Sequence, residues 1–153
     1  MLGLTGRYIM EVLGPTCDNF AGVFASDSIP GSLAKKRRFS CVVNLSRASQ
    51  PGSHFISIHA DGGCAIYIDP TGLPCFVQDI TTFLAKCGRP VKYSSVAMQD
   101  PASPFCGFYC ILAVLLLDDR KRESTPPPRI EFSETDLLSN DQKCVDYIKL
   151  ILR

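Results

Sequence analysis

The run FCGFYCILAVLLL, residues 105 to 117, carries no charged side chain over thirteen positions. A helix built from it is apolar on every side and is stable in water only if other elements cover it all round. It falls far short of the ~18 apolar residues that a membrane span needs. The rest of the chain must therefore supply its cover. At 153 residues the chain is the size of one ordinary domain with one substantial core. Hydrophobic residues at 46% and charged residues at 20% place it among globular rather than disordered sequences. A single domain over residues 1–153 is expected.

The flanking segments read as follows. Thr5 to Leu13 is a short helix, with Thr5 able to cap it and Gly14-Pro15 to stop it. Residues 19–31 are expected to be irregular apart from one short strand. Phe39 to Asn44 is a strand by its β-branched content. The segment HFISIHADGGCAIYIDPTG is two strand-like runs hinged on Asp61-Gly62-Gly63, a β-hairpin. Gln78 to Lys86 is a helix, 89–99 another strand, 118–130 a linker and 131–153 a C-terminal segment closing in a helix from Asn140 to Leu152. The expected class is α+β: a small mixed sheet packed around one buried central helix.

Formal net charge is +1, so nothing global demands a polyanionic partner. Two basic clusters, Lys35-Lys36-Arg37-Arg38 and Arg120-Lys121-Arg122, read first as solvated turns, with a polyanion contact or a nuclear address as the alternative. The N-terminal stretch carries Arg7 and Glu11 inside its apolar region and makes a poor secretory signal. An intracellular protein without a membrane segment is expected. Its eight cysteines are then reduced thiols. With no CxxC pair and only His54 and His59 as imidazoles, no metal site is expected.

Cys106 and Cys110 differ by one helical turn. Ser103 is a suitable N-cap and Pro104 a suitable first helical residue, which puts Cys106 in the first turn, where the helix dipole stabilises a thiolate. Cys110 lies deeper among apolar neighbours, where desolvation raises a thiol pKa. Gly107, a poor helix former, implies a close approach to the backbone beside Cys106. The plainer reading is that both cysteines are small buried hydrophobes. A nucleophile also needs a base, and the hairpin offers one. With Asp61-Gly62 as the turn, His54 opposes Asp69 directly; with Gly62-Gly63, Asp69 opposes Ile56 and is a diagonal neighbour of His54. A three-residue loop would separate the two onto opposite faces. His59 points away from His54 beside the turn and is expected at the surface.

His54 on a strand, Asp69 ending the next in YIDPTG, Gln99 seven residues before Cys106, and CGFYC opening the apolar helix together resemble the adenovirus endopeptidase (adenain) family. Its relatives include the deconjugating proteases of ubiquitin-like proteins. Upstream, IMEVLGPTCDNFAGVFASDSIPG and FSCVVN are similar to the family's opening helix, glycine turn and following strand, so the likeness covers roughly residues 9 to 117. Phe55 stands where the family usually has Trp, Asp69 where adenovirus enzymes have Glu, and the chain is shorter.

The resemblance implies an adenain-like cysteine protease fold and peptide hydrolysis. Cys106 would be the nucleophile, His54 the base, Asp69 the orienting acid and Gln99 an oxyanion donor. It places Asp27, Asn44 and Phe55 along the substrate cleft. The implied substrates are capsid or core precursors of a DNA virus or virus-like element, cut at glycine-containing sites in the host nucleus and virion. A deconjugating protease for ubiquitin-like tails is the alternative within enzymes, and a catalytically silent binding protein the alternative outside them. The chemistry itself requires no cofactor. DNA and an activating peptide are the stimulants the resemblance suggests. Cys87 would be the peptide's attachment point, with an ordinary loop thiol the favoured reading, and Lys35 to Arg38 would contact the DNA. A monomer is favoured.

Overall fold

The computed structural model of the chain describes residues 3–118 and 131–153. The second basic cluster and all but the first residue of the 118–130 linker lie outside them. The elements, in order, are α1 (Gly6–Leu13), β1 (Phe20–Ala25), a 3₁₀ helix (Gly31–Lys35), β2 (Phe39–Asn44), β3 (Phe55–Ala60), β4 (Ala65–Ile68), α2 (Gln78–Lys86), β5 (Val91–Tyr93), α3 (Cys106–Leu117) and α4 (Leu137–Ile151). The strands form one mixed sheet in sequence order. β2, β3 and β4 pair antiparallel, and the outer pairs β1/β2 and β4/β5 are parallel. The protein is thus an α+β fold, with a five-stranded mixed sheet and four α-helices among the described residues. Among the described residues no helix is long and apolar enough to cross a membrane.

The local signals account for most boundaries. Thr5 Oγ1 accepts the Tyr8 N–H at 3.2 Å and Gly14 closes α1, the cap and stop read from the sequence. β2 and α2 occupy the expected residues. The strand expected over 89–99 is only three residues long. Past Tyr93 the chain leaves the ladder, and the Met98 and Gln99 N–H groups both bond to the Pro70 carbonyl, at 2.8 and 3.0 Å. α4 begins three residues before Asn140, because Asp136 accepts the Ser139 N–H and caps it there.

The sheet is covered on both faces, so the expected arrangement of a sheet around one helix needs refining. On one face, α3 packs with Val42 of β2, with Ile9 and Leu13 of α1, and with Cys144 and Ile148 of α4. On the other, Phe39, Cys41 and Val43 of β2 and Ile56 and Ile58 of β3 meet Ile80, Phe83 and Leu84 of α2. β2 is buried from Phe39 through Val43 for this reason, and it reads as a continuous apolar run rather than an alternating one. α3 is buried because a sheet face, α1 and α4 share its circumference.

His59 is not at the surface. It is 6% exposed; its Nε2 lies 2.8 Å from the Ser57 hydroxyl, and its Nδ1 has no partner. Ser57 and His59 lie on the opposite face from Ile56 and Ile58, the face on which Val42, the partner of Ser57, packs against α3. Burial pulls its pKa down to about 4. An unfolded chain protonates its histidines near ~6.5, so between these values the unfolded state binds more protons, and stability falls as the pH falls. A depression of this size is worth about 3 kcal/mol at most. The melting temperature should therefore drop on titration from neutral pH towards pH ~4.5, and His59→Gln should flatten that drop. An acid limb unchanged in the variant would place the sensitive group elsewhere.

Candidate active site

The hairpin register is set by pairs Ala60↔Ala65 and Ser57↔Ile68, which is the Gly62-Gly63 alternative. Asp61 fixes it: its N–H donates to the Cys64 carbonyl at 3.0 Å, and its Oδ1 accepts the N–H groups of Gly63 and Cys64 at 2.7 and 2.9 Å. This register makes His54 and Asp69 diagonal neighbours just beyond the adjoining ends of β3 and β4. They meet, with Nε2 of His54 2.8 Å from Oδ1 of Asp69.

Asp69 is 2% exposed and could not remain charged there without donors. The same Oδ1 also accepts the N–H and the hydroxyl of Thr71, at 2.9 and 2.7 Å. Burial pushes this carboxyl up, but the bonds from His54 and Thr71 outweigh it and hold the group below its ordinary pKa. Thr71 went unnoticed in the sequence, although an Asp followed two residues later by Thr is a recognisable local turn signal. The turn closes through Gly72, at φ +75°, where a Cβ would lie 2.7 Å from the Ala97 nitrogen. Only glycine fits there.

Cys106 is the first residue of α3. The cap is Phe105 and not Ser103, so the helix starts two residues later than expected. Ser103 is occupied otherwise: its hydroxyl donates to Asp141 Oδ2 at 2.6 Å and accepts the Phe105 N–H at 3.2 Å. Cys106 nevertheless stays at the positive end of the dipole. Burial raises its thiol pKa, but hydrogen bonds from His54 and from the Phe55 and Gly107 N–H groups bring it below the ordinary value. For His54 burial acts downward, and the bonds to Asp69 and Cys106 overcome it, lifting the imidazolium to about 9. The two shifts run in opposite directions, both towards a thiolate–imidazolium pair. Since Nε2 is held by Asp69, Nδ1 is the nitrogen left for the sulfur. Cys110, 1% exposed, is driven well above the ordinary thiol range by burial, which leaves it inert.

The glycine after Cys106 has an internal cause. A Cβ on Gly107 would lie 3.0 Å from Leu4 Cβ and 3.3 Å from Ile9 Cδ1, so the close approach is the chain's own N-terminal segment. That segment is also one wall of a cleft of about 690 Å³ into which Cys106, His54 and Asp69 open. Asn44 and Phe55 line the same cleft, with Thr71 and Leu73 on the acid side. Asn44 Oδ1 accepts the N–H groups of Ser46 and Ser53, at 2.9 and 3.2 Å, and so pins both ends of the 46–53 loop.

Three other candidate residues do not line the cleft. Asp27 does not line this cleft; its carboxylate accepts the Ala48 N–H at 2.9 Å, a bond that holds its pKa down and ties it to the 46–53 loop. Gln99 is 1% exposed and also off the cleft wall, one Nε2 hydrogen being given to the Ser103 carbonyl at 2.7 Å. Cys87 is 8% exposed, with its thiol directed to the Phe83 carbonyl at 3.5 Å. Its surroundings are those of a structural thiol. Lys35 to Arg38 are exposed at the start of β2, whereas Asn44 ends that strand at the cleft. They lie roughly 20 Å from it along the strand. Among the described residues no group of three or more His, Cys, Asp or Glu side chains could hold a metal ion.

No protein-family model matches this sequence, and no curated protein matches it.

The imidazolium owes part of its elevation to Asp69. Alkylation of Cys106 by the anion iodoacetate, which the imidazolium charge attracts, should be fast on a plateau that ends near pH 9 as that charge is lost, and Asp69→Asn should shift the alkaline end towards an ordinary imidazole value of ~6.5. An unmoved profile in the variant would show that Asp69 does not hold the base. Gly72→Ala should abolish the same plateau by displacing the turn that carries Asp69. It should cost at least ~1–2 kcal/mol of stability, read from denaturant unfolding.

Proposed function

We propose that the chain is a cysteine endopeptidase with an adenain-like fold. The observation that carries this is the triad geometry: a thiol at the first position of a buried helix, its pKa lowered against an imidazolium that a buried carboxylate orients, all opening into one cleft. The resemblance of the His54, Asp69, Gln99 and Cys106 order to that family, and the α+β architecture with a mixed sheet, support the same reading.

The chemistry follows from the positions. The Cys106 thiolate attacks the scissile carbonyl carbon, and the carbonyl π pair moves onto oxygen. His54 gives its proton to the leaving amine nitrogen, which departs and leaves a thioester. Water, deprotonated by His54, then releases the acid and the thiol. The oxyanion is assigned to the Cys106 backbone N–H at the helix start and, on the resemblance, to the second amide hydrogen of Gln99, the first being committed to the carbonyl of Ser103, a residue that lines the cleft. Asp69 keeps Nε2 protonated and stays charged throughout. The substrates proposed, on the resemblance alone, are capsid or core precursors of a DNA virus or virus-like element cut at glycine-containing sites, in the host nucleus and virion.

Purified protein should cleave such precursor peptides. Cys106→Ala and His54→Ala should fall to background, while Cys110→Ala keeps most activity, because the Cys106 thiol is lowered by its donors and the Cys110 thiol is raised by burial. Hydrolysis surviving in Cys106→Ala overturns the mechanism. Cleavage of Gly-Gly-tailed conjugates but not of precursor peptides would move the assignment to a deconjugating protease.

A further inference from the structure

α4 lies outside the segment that carries the triad, yet it reaches the loop that leads into Cys106. Asp141 accepts two hydroxyl hydrogen bonds, from Ser103 at 2.6 Å on Oδ2 and from Tyr109 at 2.8 Å on Oδ1. Ser103 belongs to the 100–105 loop and Tyr109 to the first turn of α3, so one carboxylate fastens the loop to the helix that bears the nucleophile. The preceding residue, Asn140, is fully buried, and its Nδ2 donates to the Met98 carbonyl at 2.9 Å. Gln99 sits between these two anchors, its N–H on the Pro70 carbonyl and its amide on the Ser103 carbonyl. Its Oε1 is buried without a partner. The Gln99 side chain thus has one hydrogen bond of its own, and its location is set by where Ser103 is held.

We propose that Asp141 is a positioning residue for the reaction. Through the Ser103 hydroxyl it fixes the carbonyl on which the Gln99 amide is hung, and so the place of the oxyanion donor relative to Cys106. This rests on the peptidase reading given above. The triad pair itself, His54 with Asp69, is held from β3, β4 and Thr71, and none of those bonds passes through α4. Asp141 therefore acts on the oxyanion side of the site and not on the thiolate side. A residue that only stabilised the fold would weaken both sides together.

Two reagents separate these sides. Iodoacetamide reads the thiolate. A peptide aldehyde ending in glycinal reads the oxyanion site: the Cys106 sulfur adds to the aldehyde carbon, the carbonyl π pair moves to oxygen, and that oxygen is held by the donors or takes the His54 proton. Displacing a donor by about 1 Å costs on the order of 10–100-fold. Asp141→Ala should lower kcat about tenfold or more with KM within about twofold, and weaken aldehyde binding by a similar factor. It should leave the iodoacetamide rate at neutral pH within about twofold, since the ion pair is untouched. Ser103→Ala should reproduce these effects, and the double variant should be no worse than Asp141→Ala, because on the oxyanion side both residues act through the bond between them. If Asp141→Ala does not fold, Ser103→Ala carries the same expectation.

Unchanged kcat and aldehyde affinity in Asp141→Ala overturn the proposal. A parallel fall in alkylation, aldehyde binding and melting temperature also overturns it and leaves Asp141 a purely structural residue. In the native protein, a Cys106 that alkylates no faster than an ordinary thiol would sink the peptidase reading first, and the positioning role with it.

Discussion

The burial of α3 is the constraint on which the other elements depend. Seven of its twelve residues are buried, Tyr109, Cys110, Ile111, Leu112, Val114 and Leu115 among them with Gly107. Each large side chain of this kind loses about 1.5–3 kcal/mol if returned to water. No single neighbour can cover a helix that is apolar all round, so a sheet face, α1 and α4 each take a part of its surface. The sheet then exposes a second apolar face, and α2 with the 3₁₀ helix closes that one. The layering of the whole protein follows from one helix without a polar side.

The same burial makes the helix start chemically useful. A helix enclosed on its flanks leaves its first N–H groups as the place where its dipole meets the cleft. A thiol there is only half removed from water, and it receives N–H groups from Phe55 and Gly107 as well as the His54 proton. One turn further in, Cys110 has the same chemistry but none of these donors, and its pKa moves the opposite way. Desolvation acts upward on both thiols, and the donors available at the terminus decide the sign.

The loops between the elements are held by single shared acceptors. Oδ1 of Asp69 gathers His54 and Thr71, the Pro70 carbonyl gathers Met98 and Gln99, and Asp141 gathers Ser103 and Tyr109. Each acceptor ties together segments distant in sequence. These acceptors hold site residues that mostly lie just outside regular structure.

The residue pattern alone determined the elements with strong local signals: the Thr5 cap and Gly14 stop of α1, the β-branched run of β2, the bounds of α2, and the buried character of α3. These depend on neighbours within a few positions, which is what a sequence displays. It also marked Cys106, His54 and Asp69 as partners, since a hairpin converts sequence spacing into proximity, but it left the register between two turns that both brought them together. Tertiary structure chose Gly62-Gly63, because the Asp61 side chain satisfies the turn's N–H groups there. It alone decided that His59 is buried, that Ser103 serves Asp141 rather than the helix cap, and that Gly107 is small for the sake of Leu4. It also decided that the Gln99 amide hangs from the Ser103 carbonyl. In each of these the partner comes from a segment, or a fold of the chain, that carries no signature of the contact. Burial and hydrogen-bond satisfaction are properties of the packed whole, and they are fixed only when all the segments have met.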